Sequence, residues 1–117
     1  MRSTNVPARV KAKKRLMKSV AGYHAGPGTM YRRALEANKR SEQQAFVGRK
    51  LKKRQYRQLW ITRINIATRA AGLPYSRFIA GLQAADIRLD RKQLSELAIH
   101  EPATFQSLVE QARAALA

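Results

Sequence analysis

The chain has 117 residues with 24 Lys plus Arg against 7 Asp plus Glu, a formal charge of +17. That length holds one domain, or one small domain with an appendage, and a globule this cationic repels itself, so a polyanion is the expected partner rather than a small acidic molecule. The absence of cysteine excludes disulfides, Cys-ligated zinc and thiol catalysis, no apolar run nears the roughly 20 residues of a membrane span, and the start Met1–Pro7 lacks the apolar stretch of a secretory signal.

A cytoplasmic address follows as the default. The charge is unevenly placed: residues 1–69 hold 19 Lys/Arg with only Glu36 and Glu42, whereas residues 70–117 hold five charges of each sign. Residues 1–21 are basic with scattered Val10, Leu16, Met17 and Val20, and predict a short helix over 9–21. Gly22, Gly26, Pro27 and Gly28 break it, Gly26–Gly28 reading as a flexible joint, and Thr29 is placed to cap the next helix. From Met30 to Ala71 no proline intervenes, which predicts one helix of 42 positions, about 63 Å long at 1.5 Å per residue. Gly72 and Pro74 supply the stop. Gly48 weakens this helix by about 1 kcal/mol relative to alanine without ending it. Around it Arg49, Lys50, Lys52, Lys53, Arg54 and Arg57 cover roughly 200° of the circumference at 100° per residue. Cations so spaced repel along the helix, and phosphates on several sides relieve that.

The neutral segment carries ordinary core patterning. Phe78, Ile79 and Leu82 recur at helical spacing, and Asp90 with Gln93 forms a capping box before Leu94, Leu97 and Ala98. After Glu101-Pro102, the residues Phe105, Leu108, Val109, Ala112 and Leu116 make a stripe of 3.6-residue period. Three short helices need a fourth surface, which Leu59, Trp60, Ile61, Ile64 and Ile66 offer. Only Ile87-Arg88-Leu89 resembles a strand, so the fold class is all-α: an extended basic N-terminal limb with one long helix, then a small C-terminal helical domain. The expected divisions are residues 1–29, a basic extension with its joint; 30–72, the long basic helix; and 73–117, the small neutral domain.

The chemistry concentrates in Lys53-Arg54-Gln55-Tyr56-Arg57-Gln58-Leu59-Trp60-Ile61-Thr62-Arg63-Ile64-Asn65, continuing to Arg69. Arginine donates two parallel hydrogen bonds to phosphate and lysine supplies a point charge. Tyr56 either stacks on an unpaired base or anchors the helix, and Trp60, among aliphatics, reads as an anchor. Gly26-Pro27-Gly28 lacks P-loop spacing, and His24 and His100 stand too far apart in sequence for a paired metal motif; His100 instead suits the C-terminal dipole of its helix. Asp86 with Asp90, or Glu96 with Glu101, imply no pocket, and Ser76, Ser95 and Ser107 lack His and Asp partners, so no enzyme is expected and no cofactor or metal.

The same run resembles the bacterial large-subunit ribosomal protein L-twenty family. That family's pattern is met by Lys53, Arg57, Leu59, Trp60, Ile61, Arg63, Ile64, Asn65 and Arg69, and the likeness continues through Gly72-Leu73-Pro74-Tyr75-Ser76, Phe78-Ile79, Gly81-Leu82 and Asp90-Arg91-Lys92. Upstream, Gly22-Tyr23 and Tyr31-Arg32 keep the register, so it covers about residues 9–117. Gln44-Ala45-Phe46-Val47-Gly48-Arg49-Lys50 departs where the family commonly reads Tyr-Ala-Tyr-Arg-Asp-Arg-Arg, and His24-Ala25-Gly26-Pro27-Gly28 replaces an Arg-rich joint. The resemblance implies a non-enzymatic structural constituent of the large ribosomal subunit, cytoplasmic, that binds 23S rRNA directly, supports subunit assembly and neighbours other large-subunit ribosomal proteins. Its basic extension would thread among RNA helices, with the small domain at the surface.

The residues expected to meet RNA are Arg9, Lys11, Lys13, Lys14, Arg15, Lys18, Arg32, Arg33, Arg49, Lys50, Lys52, Lys53, Arg54, Arg57 and Arg63, with Tyr23 and Tyr56 as stacking groups. The alternative is a DNA-binding regulator whose C-terminal helices form a helix-turn-helix with a basic arm. It is weakened because a recognition helix should be basic, whereas residues 70–117 sum to zero. Membrane binding fails because the basic arc lacks a wide apolar face opposite it.

Overall fold

The computed structural model describes residues 6–117, and every regular element among them is helical: α1 (Val6–Ser19), α2 (Gly26–Thr29), α3 (Tyr31–Ala70), α4 (Tyr75–Ala84), α5 (Arg91–His100) and α6 (Pro102–Ala115). The first five residues of the basic extension lie outside that range. By contacts the chain divides after Lys50.

In the part up to Lys50, α1 ends two residues before the expected limit, because Gly22 turns left-handed (φ +89°) and Tyr23 N–H closes on Val20 O at 3.1 Å. Val20 and Ala34 are its buried apolar side chains, and α1 itself buries none. Ser19 Oγ donates to Asn38 Oδ1 on α3 at 3.1 Å, a polar tie beside them. The joint expected to be flexible is a tight turn. Pro27 occupies the first turn of α2, and a Cβ on Gly28 would overlap the Tyr23 carbonyl, so only glycine fits. Thr29 does not cap α3: it is the last residue of α2, its hydroxyl donating to Ala25 O at 3.4 Å, and extended Met30 (φ −98°, ψ 120°) separates it from α3.

α3 runs 40 residues, and Gly48 does not interrupt it. It ends in a Schellman motif: Gly72 (φ +77°) donates its N–H to Arg69 O and Leu73 N–H reaches back to Thr68 O, both at 2.9 Å. Arg113, 42 residues downstream, adds Nη2 to Ala71 O at 2.7 Å, placing a cation on the carbonyl end of the helix.

From Leu51 onward the core consists of Ile64 from α3, Phe78 and Leu82 from α4, Leu94 from α5, and Phe105, Val109 and Ala112 from α6. Phe78 and Phe105 sit tilted at 5.4 Å between centroids. The patterning therefore placed α4, α5 and α6 well, and both arms of the Asp90–Gln93 capping box form, at 2.8 and 3.0 Å. Ile87-Arg88-Leu89 is a loop. It follows Asp86, which takes the left-handed position (φ +52°) of a second Schellman turn and pairs with Arg88 at 3.1 Å.

Of the five α3 residues expected to close the core, only Ile64 does so. Leu59 and Ile66 are 41% and 66% exposed, while Thr68 is buried with its hydroxyl donating to Asn65 O at 3.2 Å. At 100° per residue, Leu59 and Ile66 lie on the helix side away from Ile64, Ala67, Thr68 and Ala71. Trp60 and Ile61 are half-buried and outside the Ile64 cluster, so the expected Trp60 anchor is not part of the core.

Close packing and helix propensity separate two glycines. A Cβ on Gly81 would overlap the Ala112 carbonyl of α6, whereas one on Gly48 meets nothing within 4 Å. Gly81→Ala should destabilise the fold by about 2 kcal/mol through overpacking, and Gly48→Ala should stabilise α3 by about 1 kcal/mol; urea unfolding and amide exchange read the two. Phe78→Ala should cost about 3–5 kcal/mol in the same unfolding assay.

Candidate nucleic-acid interface

α1 carries Arg9, Lys11, Lys13, Lys14, Arg15 and Lys18, all exposed, on a helix with no acidic residue in its first turn. Tyr23 stands in the following turn, 37% exposed. Arg32 and Arg33 open α3, again without an acid, although cations are disfavoured at a helix N-terminus. The dipole and the side chains there both favour an anion.

Farther along α3, Arg49, Lys50, Lys52, Lys53, Arg54, Tyr56 and Arg57 are all exposed, and Arg63 is half-buried. Successive helical turns place cations over rings: Lys50 Nζ lies 4.4 Å from the Phe46 centroid and Lys52 Nζ 6.0 Å from that of Tyr56. Lys13 of α1 stands 5.1 Å over Tyr31 of α3. Contacts of this kind at exposed sites contribute about 0.5–1 kcal/mol each. Tyr56 also leans on Trp60, with centroids 6.2 Å apart and planes tilted by 39°. One face of the Tyr56 neighbourhood is thus aromatic, and its ring remains 48% exposed.

Electrostatic pairing decides what this surface is suited to. Among the described residues the carboxylates within ion-pair distance of a basic side chain are Asp86 with Arg88 and Glu96 with His100, and neither contact uses a cation between Arg9 and Arg69. Glu36 and Glu42 leave those cations unpaired; Glu42 instead accepts from Asn38 Nδ2 at 3.4 Å. Arg69 donates to the Asn65 amide oxygen at 3.1 Å. The sequence-expected residues therefore fall into an α1 group with Tyr23, an α3 N-terminal pair, and an α3 group from Arg49 to Arg63. Lys39 and Arg40 were not singled out by sequence, yet both are exposed. Arg40 lines a hollow of about 260 Å³ with Pro27, Arg33, Glu36 and Ala37. Its only sequence signal was the basic pair itself, partly masked by the nearby glutamates.

The neutral segment offers no catalytic arrangement among these carboxylates. Asp86 pairs with Arg88, Asp90 caps α5, Glu96 lies 3.3 Å from His100 Nε2, and Glu101 accepts from Thr104 Oγ1 at 3.1 Å. No cluster of three metal-ligating side chains occurs among the described residues, and no helix there is long and apolar enough to cross a membrane.

Comparison with known proteins agrees with the motif at the end of α3. Residues 2–108 match the family described as Ribosomal protein L20. The chain is 50% identical over 103 residues to the large ribosomal subunit protein bL20 of Koribacter versatilis, covering 88% of this chain and 85% of that one. It is 45% identical over 116 residues to the bL20 protein of Thermosipho africanus, covering 99% and 98%. With the bL20 protein of Afipia carboxidovorans the identity is 52% over 104 residues, covering 89% and 87%. The chain belongs to the ribosomal protein L20 family, a family of structural ribosomal components and not of enzymes.

Proposed function

We propose that this chain is a structural constituent of the large ribosomal subunit that binds 23S rRNA directly and supports assembly of the subunit, with other large-subunit proteins as neighbours. The observation that carries this reading is the run of cations from Arg9 to Arg69 that no carboxylate among the described residues pairs. RNA phosphates supply the missing charge at a spacing a helix surface can meet, and neutralising them lets adjoining RNA segments approach. The relatives named above are proteins of the large ribosomal subunit, which supports ribosomal RNA as the polyanion.

The chemistry of each group sets its role. Arg32 and Arg33 sit where the α3 dipole also attracts phosphate. Arg49, Lys50, Lys52, Lys53, Arg54 and Arg57 reach phosphates on more than one side of the helix, with Arg63 at the border of the core. Arg9, Lys11, Lys13, Lys14, Arg15 and Lys18 do the same from α1. Tyr23 and Tyr56 offer exposed rings to unpaired bases. A-form grooves are recognised by shape, phosphate and 2′-hydroxyl contacts, so base reading is a minor part of this function. A DNA regulator is the weaker reading, because the charged side chains of residues 70–117 sum to zero and several are spent on caps and local pairs.

Binding to protein-free 23S rRNA should fall by about 10³–10⁵ between 50 and 200 mM salt if six to ten phosphates are contacted. Arg54→Ala or Arg57→Ala should each reduce the salt slope by about 1; tighter binding to duplex DNA of equal length would overturn the assignment. Replacing Tyr56 by Leu should cost about 1–3 kcal/mol of affinity, and Tyr56→Phe should retain it, as measured by filter binding. Lys53→Gln with Arg54→Gln should weaken rRNA binding while raising the helicity of the free protein, because like charges at helical spacing each cost a few tenths of a kcal/mol; circular dichroism reads the second effect.

A further inference from the structure

Two side chains of α3 have no task in a surface that only neutralises phosphates. Phe46 is 55% exposed. It stands one helical turn after Glu42 and one before Lys50, so the three share a face of the helix over about 12 Å of rise. Lys50 Nζ, 4.4 Å from the Phe46 centroid, covers one face of the ring and leaves the other available.

Glu42 is the second. It is exposed on a cationic helix, yet among the described residues no Lys or Arg lies within ion-pair distance of it. Its Oε1 accepts from Asn38 Nδ2 at 3.4 Å, a long bond, and its Oε2 has no hydrogen-bond partner among the described residues.

We propose that Glu42 and Phe46 form a reading site for one unpaired guanine of the rRNA. The base stacks on Phe46, its Watson–Crick edge meets the Glu42 carboxylate, and its phosphate lies toward Arg49 and Lys50. This rests on the reading of the chain as an rRNA-binding protein, and adds one base-read position to a surface that otherwise meets the backbone.

Charge order along the helix selects the occupant. Glu42 repels a phosphate and a phenyl ring offers it no donor, so here the RNA presents a base instead. A nucleotide carries a donor edge, an apolar π-face and an anionic phosphate in line, the same order as Glu42, Phe46 and the Arg49–Lys50 pair. Stacking accepts any base, because each has a π-face. The carboxylate does not. Guanine sets two adjacent donors, N1–H and N2–H, against two carboxylate oxygens. Adenine and cytosine present one amino group beside a ring-nitrogen lone pair, and uracil one N–H between two carbonyls, so each turns an acceptor toward Glu42.

The test uses the full chain and protein-free 23S rRNA. Val47→benzoylphenylalanine, which leaves both residues in place, should crosslink at or next to an unpaired guanine on photolysis; crosslinks confined to other nucleotides, or none, would overturn the site. In filter binding, Phe46→Leu should weaken binding about tenfold, equivalent to about 1.4 kcal/mol and within the range for one stacked base, and Phe46→Tyr should retain it. Glu42→Gln separates base reading from bulk charge. Removing an acid that merely stood among cations would tighten binding, whereas loss of a bidentate contact weakens it about tenfold; unchanged or tighter binding would refute the proposal. Exchanging the crosslinked guanine for adenine should weaken the unmodified chain by a similar factor and the Glu42→Gln chain no further, a comparison that tests the site without altering the protein. Failure of the unmodified chain to bind rRNA would count against the function itself, whereas the crosslink and the exchange address the guanine site.

Discussion

Like-charge repulsion between Arg9 and Arg69 is the constraint on which the rest of the structure depends. Two glutamates stand among the cations of that span, and no intramolecular ion pair forms there among the described residues. The chain tolerates this because helical hydrogen bonds along α3 are local and cumulative, so a 40-residue helix survives penalties of a few tenths of a kcal/mol per unfavourable pair. The free protein nevertheless carries an unfavourable field that a polyanion removes. In the proposed role, stability and binding would pull on the same residues in opposite directions: neutralising them improves the free helix and weakens its hold on a polyanion.

Ile64 marks the change of regime along α3. Before it, exposed Lys and Arg dominate the helix surface; at Ile64, Ala67, Thr68 and Ala71 one side turns inward against α4, α5 and α6. The neutral part has spent its polar groups on architecture: Asp90 on a cap, Asp86 on a left-handed turn, Arg113 on the carbonyl end of α3. This division explains how one chain carries a net +17 and still builds a hydrophobic core. The charged surface and the core meet on a single helix, at different positions and on different sides.

Much of this was legible in the sequence because its signals are local. The Gly72 stop, the Asp90–Gln93 box and the Phe105–Val109–Ala112 stripe act within one or two helical turns, and each forms where expected. The cations of the candidate interface were legible for the same reason, since lysine and arginine outnumber everything able to bury them. Contacts between distant segments were not legible. Gly81 passes the Ala112 carbonyl, an approach that glycine permits but does not announce. Thr29 had the chemistry of a cap, yet the turn begun by Pro27 used it to finish α2.

Leu59 through Ile66 mark the boundary between the two kinds of information. By itself the sequence determined the charge partition, the helical class, the main helix boundaries and the family, because all four reside in composition and short-range spacing. It could not set the phase of α3 against its neighbours: Leu59, Trp60, Ile61, Ile64 and Ile66 cover most of the helix circumference, so any side of it could have faced inward. Only the packing of α4, α5 and α6 chose Ile64, burying it completely and leaving Leu59 and Ile66 in solvent. The physical reason is that hydrophobicity has no direction of its own; a side becomes the core when distant segments close over it.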